Sequence, residues 1–360
     1  MSTVLNRPSR WSARRIDFVT VVLWLVRIVA VIVVIWGAYF SLTGGRLTVA
    51  QWRGLVLAGV AQGSVYALIA LGYTMVYGVL GFINFAHGEV FMSGTMVGFV
   101  AADALARHGV WNSQPVLSLL IVLAASMAVS TFVAVLLERV AYRPLRGAPR
   151  LIPLITSIGA SFFLQYTFRG LFGPGIKTYP SVDVLQGQVS LLGVGVVKTQ
   201  ALTIVAAFAM MLGLYQFVER TKTGRAMRAV AEDKEIAALM GVDVDRTIVT
   251  TFAVGGAMAG AAGLLWALVF RSVFFFTGFL PGIKAFTAAV LGGIGNIVGA
   301  MIGGLLLGVF EALGPSMVLT GLGIPSAHQL KDVVAFTALV MVLIFRPSGV
   351  LGERLAEERA

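Results

Sequence analysis

Residues 54–80, 116–137, 151–172 and 247–270 are apolar runs long enough to cross a bilayer as helices, at about 20 residues per crossing. Several such runs leave a chain one solution. In hydrocarbon every backbone N–H and C=O must be bonded within the protein, so the runs must be helices packed into a bundle. A run at 19–40 and shorter ones at 90–105, 201–218 and 333–346 extend the series. The stretch 285–313 is too long for one plain helix. Gly292-Gly293-Ile294-Gly295-Asn296 interrupts it, which predicts two short crossings or a re-entrant pair. The expectation is an all-α, polytopic membrane helical bundle of about ten transmembrane or re-entrant segments with broken, glycine-rich helices.

Composition supports that class. The chain is 58% hydrophobic and 12% charged, whereas soluble domains are about half apolar and a quarter charged. Its lack of cysteine excludes disulfides, thiol catalysis and cysteine metal sites. The net charge of +11 would raise nucleic-acid binding in a soluble protein, but the positions of the charges argue for topology instead. Arg7, Arg10, Arg14 and Arg15 precede the first run, and Arg139, Arg143, Arg146 and Arg150 follow the run at 116–137. Arg220, Lys222, Arg225, Arg228, Lys234 and Arg246 follow 201–218, and Arg346, Arg354 and Arg359 lie at the tail. A ten-segment bundle puts all of these on one side, and the positive-inside rule makes that side the cytoplasm, with both termini inside. No nucleic-acid partner is expected.

The N-terminal run exceeds the roughly 7–15-residue core of a cleaved signal, which favours a retained helix. Arg27 lies within it, either snorkelling to the headgroups or facing another helix.

Between two strongly apolar stretches, residues 83–91 read INFAHGEVF. Gly78, Gly81 and Gly88 allow the chain to bend there. Asn84 is placed to satisfy the groups freed at the bend and to cap the following helix. Two readings of His87 and Glu89 stand: they pair or line a wet passage inside the bundle, or they are solvated in a short cytoplasmic turn. Tyr73 and Tyr77 lie one turn apart on the preceding helix and are candidates to line the path with Asn84, His87 and Glu89. The pattern of apolar helix, glycine-rich break with Asn, and small-residue helix recurs in AFTAAVLGGIGNIVGAMIGG, with Gly292, Gly293, Gly295 and Asn296 at the break. Such paired interruptions point to a substrate path in transporters built from repeats.

The basic loop RTKTGRAMRAVAEDKEIAALMGVDVDR predicts a helix over Ala226–Met240, stopped by Gly241. Arg228 and Glu232 stand at i,i+4, and Met227, Val230, Ile236 and Met240 supply an interrupted apolar set. Such a helix either docks a soluble partner or lies on its own bundle. No Walker-type phosphate loop occurs, and GPGIKT at 173–178 falls short of one. No serine–histidine–acid arrangement suggests hydrolysis, so an enzyme is not expected. Glu89, Glu311 and Asp332 are the acids expected at depth, few for an ion-coupled carrier.

Several blocks together resemble one family. GYTMVYGVLGFINFAHGEVFMSG, ERVAYRPLR, RAMRAVAEDKEIAALMGVDVDRTI, KAFTAAVLGGIGNIVGAMIGGLLLG and FRPSGVLGE look like the inner-membrane permease of branched-chain amino acid ABC importers, the LivH type, in the family's order from about Gly54 to Glu353. The resemblance implies a permease domain over 51–352, with a cytoplasmic ATPase coupling loop at about 219–246 in which Arg225, Arg228, Ala231, Glu232, Asp233 and Gly241 fall, and a cytoplasmic tail at 353–360. It implies a second related permease, two cytoplasmic ATPases and an extracytoplasmic substrate-binding protein as partners, within the lipid of a bacterial inner membrane. No cofactor is then held by this chain, and ATP is used by the partners. Branched-chain or other hydrophobic amino acids are the expected cargo. A permease for urea or short amides is the alternative, and a self-sufficient secondary transporter or channel a more distant one. Residues 1–50, with their extra helix, extend beyond the family's usual start, and the outer loop 173–200 matches no family motif.

Overall fold

The computed structural model describes residues 18–352, apart from 46, 150, 192–193 and 347. Arg7, Arg10, Arg14, Arg15, Arg150, Arg354 and Arg359, and with the last two the tail 353–360, lie outside the described residues. In chain order the helices are α1 (Phe18–Thr43), α2 (Val49–Leu80), α3 (His87–Arg107), α4 (Val110–Ser113), α5 (Pro115–Leu137), α6 (Leu151–Phe172) and α7 (Lys198–Arg220). Then follow α8 (Lys222–Glu232), α9 (Lys234–Leu239), α10 (Val244–Phe270), α11 (Phe279–Gly292), α12 (Ile297–Gly314) and α13 (Lys331–Phe345). Among the described residues nine helices are long and apolar enough to cross a membrane, and α11 is a shorter apolar tenth.

The helix ends follow local chemistry. Thr48 and Gln51 form a reciprocal capping box that starts α2, which runs unbroken to Gly81, held left-handed at φ 78°. Gly78 therefore lies inside a continuous helix and breaks nothing. Asn296 starts α12 by accepting from the Gly299 N–H at 2.9 Å. The interruption anticipated near 292–296 separates α11 from α12, with Gly293 and Gly295 both at positive φ.

The centre of the molecule is α2, whose residues Val65–Leu71 are fully buried. It meets α12 along a seam of small residues. A Cβ on Gly63 would lie 2.8 Å from the Gly304 carbonyl oxygen, so only glycine allows the two backbones this close. Around this pair stand α3, α5, α10 and α11, while α1, α6, α7 and α13 present broad apolar faces outward. That distribution suits a lipid solvent, where burial has no need to hide apolar side chains.

Two small antiparallel ribbons lie opposite the arginine-rich loops: Lys177–Thr178 with Ser272–Val273, and Gln188–Leu191 with Val194–Val197. The loop carrying them is anchored by Tyr179, whose hydroxyl donates to the Thr95 carbonyl at 2.7 Å, and by Trp111, whose ring N–H donates to the Ser181 carbonyl at 3.1 Å. Burial pushes the Tyr179 hydroxyl well above the ordinary tyrosine pKa.

Candidate functional site: two broken segments around one cleft

After Gly81 the chain does not leave the bundle. His87 packs beside Gly72, eight residues before the end of α2, which is roughly 12 Å back along its axis. The break therefore turns inward and α3 starts inside the protein. Asn84, His87 and Glu89 are 3%, 2% and 1% exposed, which rules out the solvated-turn reading.

The irregular backbone is satisfied side chain by side chain. Asn84 Oδ1 accepts from the Ala86 N–H at 3.1 Å and from the Tyr142 hydroxyl at 2.6 Å. It is thus a turn-former bonded to a neighbouring helix, and the expected cap of α3 falls instead on Ala86, which makes no side-chain bond. Ser157 of α6 accepts from the Phe85 N–H at 3.2 Å. Glu89 turns to α6 as well, accepting from Gln165 Nε2 at 2.7 Å and Ser161 Oγ at 3.2 Å. His87 instead meets the Tyr73 ring edge-on at 4.8 Å, and its imidazole fills the hollow left by Gly72. His87 and Glu89 thus serve different neighbours and do not form the anticipated pair. Gly88, expected at the bend, lies within the first turn of α3 and permits close approach of Gly278 and Gly282.

The second break is held by Val350 and Leu351. Val350 and Leu351 donate backbone N–H groups to the carbonyls of Leu291 and Gly292 at 2.8 and 2.9 Å, and Asn296 Nδ2 donates to the Leu351 carbonyl at 3.0 Å. Gly292 itself is the last residue of α11, pressed against Gly299. The two breaks share one narrow cleft. Tyr73, Thr74, Tyr77 and Asn84 line one side, Phe286 and Ile294 the other.

Of a polar cluster joining α2, α11, α12 and α13, sequence reasoning singled out the acids Glu311 and Asp332 but missed the lysine between them. Lys284 is buried and bridges Glu311 at 2.8 Å and Asp332 at 2.6 Å. Glu311 also accepts from Gln62 Nε2 at 2.9 Å and the Tyr66 hydroxyl at 3.0 Å. A lysine alone in the apolar run 279–292 was the available signal, since a charge at such depth calls for a partner.

The arginine-rich side carries a second unit. The single helix expected over 226–240 is two, because Asp233 is extended and caps α9 by accepting from the Glu235 and Ile236 N–H groups at 2.8 and 2.9 Å. Arg228 pairs with Glu219, not with Glu232. The apolar set divides: Met227 and Val230 are buried, whereas Ile236, Leu239 and Met240 point outward, the last two 87% and 80% exposed. Gly241 takes positive φ at the end of α9, and Arg225, Ala231, Glu232 and Asp233 are exposed. Lys234 Nζ donates to the Leu80 carbonyl at 3.3 Å, one residue before the first break. Desolvation there, reinforced by the Arg146 guanidinium, holds the Lys234 ammonium below the ordinary lysine pKa. Beneath it, Arg146 joins the buried Glu138 to Asp245, and Arg143 meets Asp245 at 2.6 Å, tying α5 to α10.

Broken helices enclosed within a polytopic bundle and meeting at a shared cleft are the architecture of a membrane transport protein. Residues 55–344 match the family model described as branched-chain amino acid transport system / permease component, and the chain belongs to that family. It is 47% identical over 303 residues to the high-affinity branched-chain amino acid transport system permease protein BraD of Pseudomonas aeruginosa, covering 83% of this chain and 95% of that one. With LivH of Escherichia coli (strain K12), another such permease protein, identity is 42% at the same coverage. The match to a probable LivH of Methanocaldococcus jannaschii is 28% identical, over 83% of this chain and 92% of that protein. The family match begins after α1.

Proposed function

We propose that this chain is the translocation subunit of an ATP-driven importer that carries branched-chain amino acids across a bacterial inner membrane. The observation that carries the reading is the convergence of both broken segments on the Tyr73–Asn84–Ile294 cleft, directly under the Lys234–Leu80 contact. The names of the relatives supply the cargo, and the chemistry of the site agrees. A zwitterion crosses hydrocarbon only where polar groups replace water, because an isolated charge there is very costly. A leucine-like side chain is served by the apolar walls that Phe286, Ala289 and Ile294 supply.

The arginine-rich loops then face the cytoplasm. Ile236, Leu239 and Met240 are exposed apolar side chains that follow the exposed Glu232 and Asp233 in the chain, a surface suited to a cytoplasmic ATPase. A second related permease completes the path, a second ATPase completes the motor, and an extracytoplasmic binding protein delivers substrate. Movement of α8–α9 reaches the cleft through Lys234 and the end of α2. Asn84, Tyr73 and Tyr77 line the passage, while His87 and Glu89 set the inward turn of α3. The test is uptake of labelled leucine by proteoliposomes. With the partner subunits and binding protein present, uptake is expected to require ATP. Leucine movement by this chain alone, without nucleotide, would overturn the reading.

A further inference from the structure

Helix α1 touches the rest of the protein at its two ends and stands away from it between them. At one end Gly37 lies against Val318, with a Cβ there only 2.6 Å from the Val318 carbonyl oxygen, and Ser41 Oγ donates to the Ser316 carbonyl at 2.7 Å. At the other, Arg27 donates to the Ile344 carbonyl, and its guanidinium lies 5.3 Å from the centroids of both the Trp24 and Phe345 rings. Between these points α1, α12 and α13 enclose an apolar groove of about 830 Å³, walled by residues such as Val29, Val33, Phe310, Leu313 and Met341.

Two features decide what fits there. Membrane helices pack through small residues, as α1 does at Gly37 and α2 does at Gly63, whereas this groove is walled mainly by bulky aliphatic and aromatic side chains, with Ala30, Gly314 and Ala338 the small exceptions. Acyl chains suit such walls better than a helix backbone does. The groove also ends in cations. Arg346 is exposed and lines the groove with Phe345, whose ring Arg27 meets from α1, and neither guanidinium forms an ion pair among the described residues. The Nε–H of Arg27 is buried without a hydrogen-bond partner. Basic sites between helices at a membrane edge select anionic headgroups.

We propose that this groove is a binding site for one anionic phospholipid, its acyl chains between α1 and α12–α13 and its phosphate on Arg27 and Arg346. The bound lipid fills the space that α1 spans and fastens this helix, which precedes the family match, to the permease domain.

The test is native mass spectrometry of the full chain, delipidated in detergent and then incubated with mixed micelles containing phosphatidylglycerol or phosphatidylcholine. One phosphatidylglycerol per chain is expected, with about tenfold preference over phosphatidylcholine. Arg27→Gln with Arg346→Gln is expected to reduce that preference to below about twofold, and Ala338→Trp, which fills the groove and leaves both arginines, to reduce retention of both lipids. Arg346→Gln alone changes an exposed side chain and leaves the fold intact, so a loss of at least about threefold is expected from it. Equal retention of the two lipids by the wild-type chain, no retention of either, or unaltered preference in the double variant would overturn the proposal. So would a crosslink from a cysteine at Val29 to the second permease in the assembled importer, which would give the groove to a protein helix.

Discussion

Lys234 Nζ reaches the Leu80 carbonyl oxygen at 3.3 Å and so ties the arginine-rich loop to the residue at which α2 ends. One residue later Gly81 turns left-handed, and three beyond that Asn84 lines the cleft. Under the proposed function, a displacement of α8–α9 reaches the break through Lys234 and through Ala231 of α8, which faces Gly78 near the end of α2. The dependence runs through rigid elements, with α2 buried along most of its length and α8 held to α7 by Arg228 and Glu219.

The cap of α9 is expected to be needed for this transmission. Removing a capping acid costs about 0.5–2 kcal/mol of local helix stability. Asp233→Ala is expected to leave subunit assembly and ATP hydrolysis largely intact while lowering leucine uptake severalfold. The measurement is ATP consumed per leucine imported in proteoliposomes; an unchanged ratio would remove α9 from the coupling route.

Gly72 and His87 are expected to behave as one unit. A methyl on Gly72 would collide with the imidazole and lie 3.0 Å from the Gly255 carbonyl oxygen. Overpacking of this kind costs about 1–3 kcal/mol. Gly72→Ala should lower the thermal midpoint of the purified protein, and adding His87→Ala should restore part of the loss. Additive destabilisation in the double variant would show that the two side chains do not share that space.

The Lys284–Glu311 pair is expected to be costly to break singly and tolerant of joint replacement. Leaving one buried charge without its partner costs about 3–5 kcal/mol, whereas a well-packed apolar pair of similar volume is often neutral. Lys284→Met should therefore unfold at a lower temperature than Lys284→Met with Glu311→Met. The reverse order would assign the stability to Gln62, Tyr66 and Lys331 acting on Glu311 without Lys284.

Much of the bundle is readable in the chain because hydrocarbon leaves few choices: runs of about 20 apolar residues became helices, and Gly81, Gly293, Gly295 and Asn296 became helix ends. Gly78 and Gly88 carried the same local signal, yet lie within helices because neighbouring elements pack against them there. The partners in the site were not readable. Asn84 is completed by Tyr142, Glu89 by Gln165 and Lys284 by Glu311 and Asp332, and each pairing is made between helices by packing that no local pattern encodes. The division of the loop helix at Asp233 was missed for a related reason. An aspartate inside a helix-prone stretch acts as an internal cap when its side chain can bond forward, and propensity alone does not register that competition.

Tyr142→Phe isolates one such long-range bond. The net worth of a neutral hydrogen bond is about 0.5–1.5 kcal/mol, so a small fall in thermal midpoint is expected, with a larger fall in uptake rate because Asn84 loses its link to the helix beside it. Uptake that declines only in step with protein abundance would reduce the Tyr142–Asn84 bond to a structural role.

The most direct test uses the fact that the chain has no cysteine. Ile294→Cys places a single thiol on the cleft at the second break, and its rate of labelling by a membrane-impermeant reagent can be followed in the assembled importer with and without trapped nucleotide. The rate is expected to change by at least about tenfold between the two states, and the change is expected to shrink when Lys234→Ala is added. Equal labelling rates in both nucleotide states would contradict the claim that the cleft between the two breaks is the passage that ATP opens and closes.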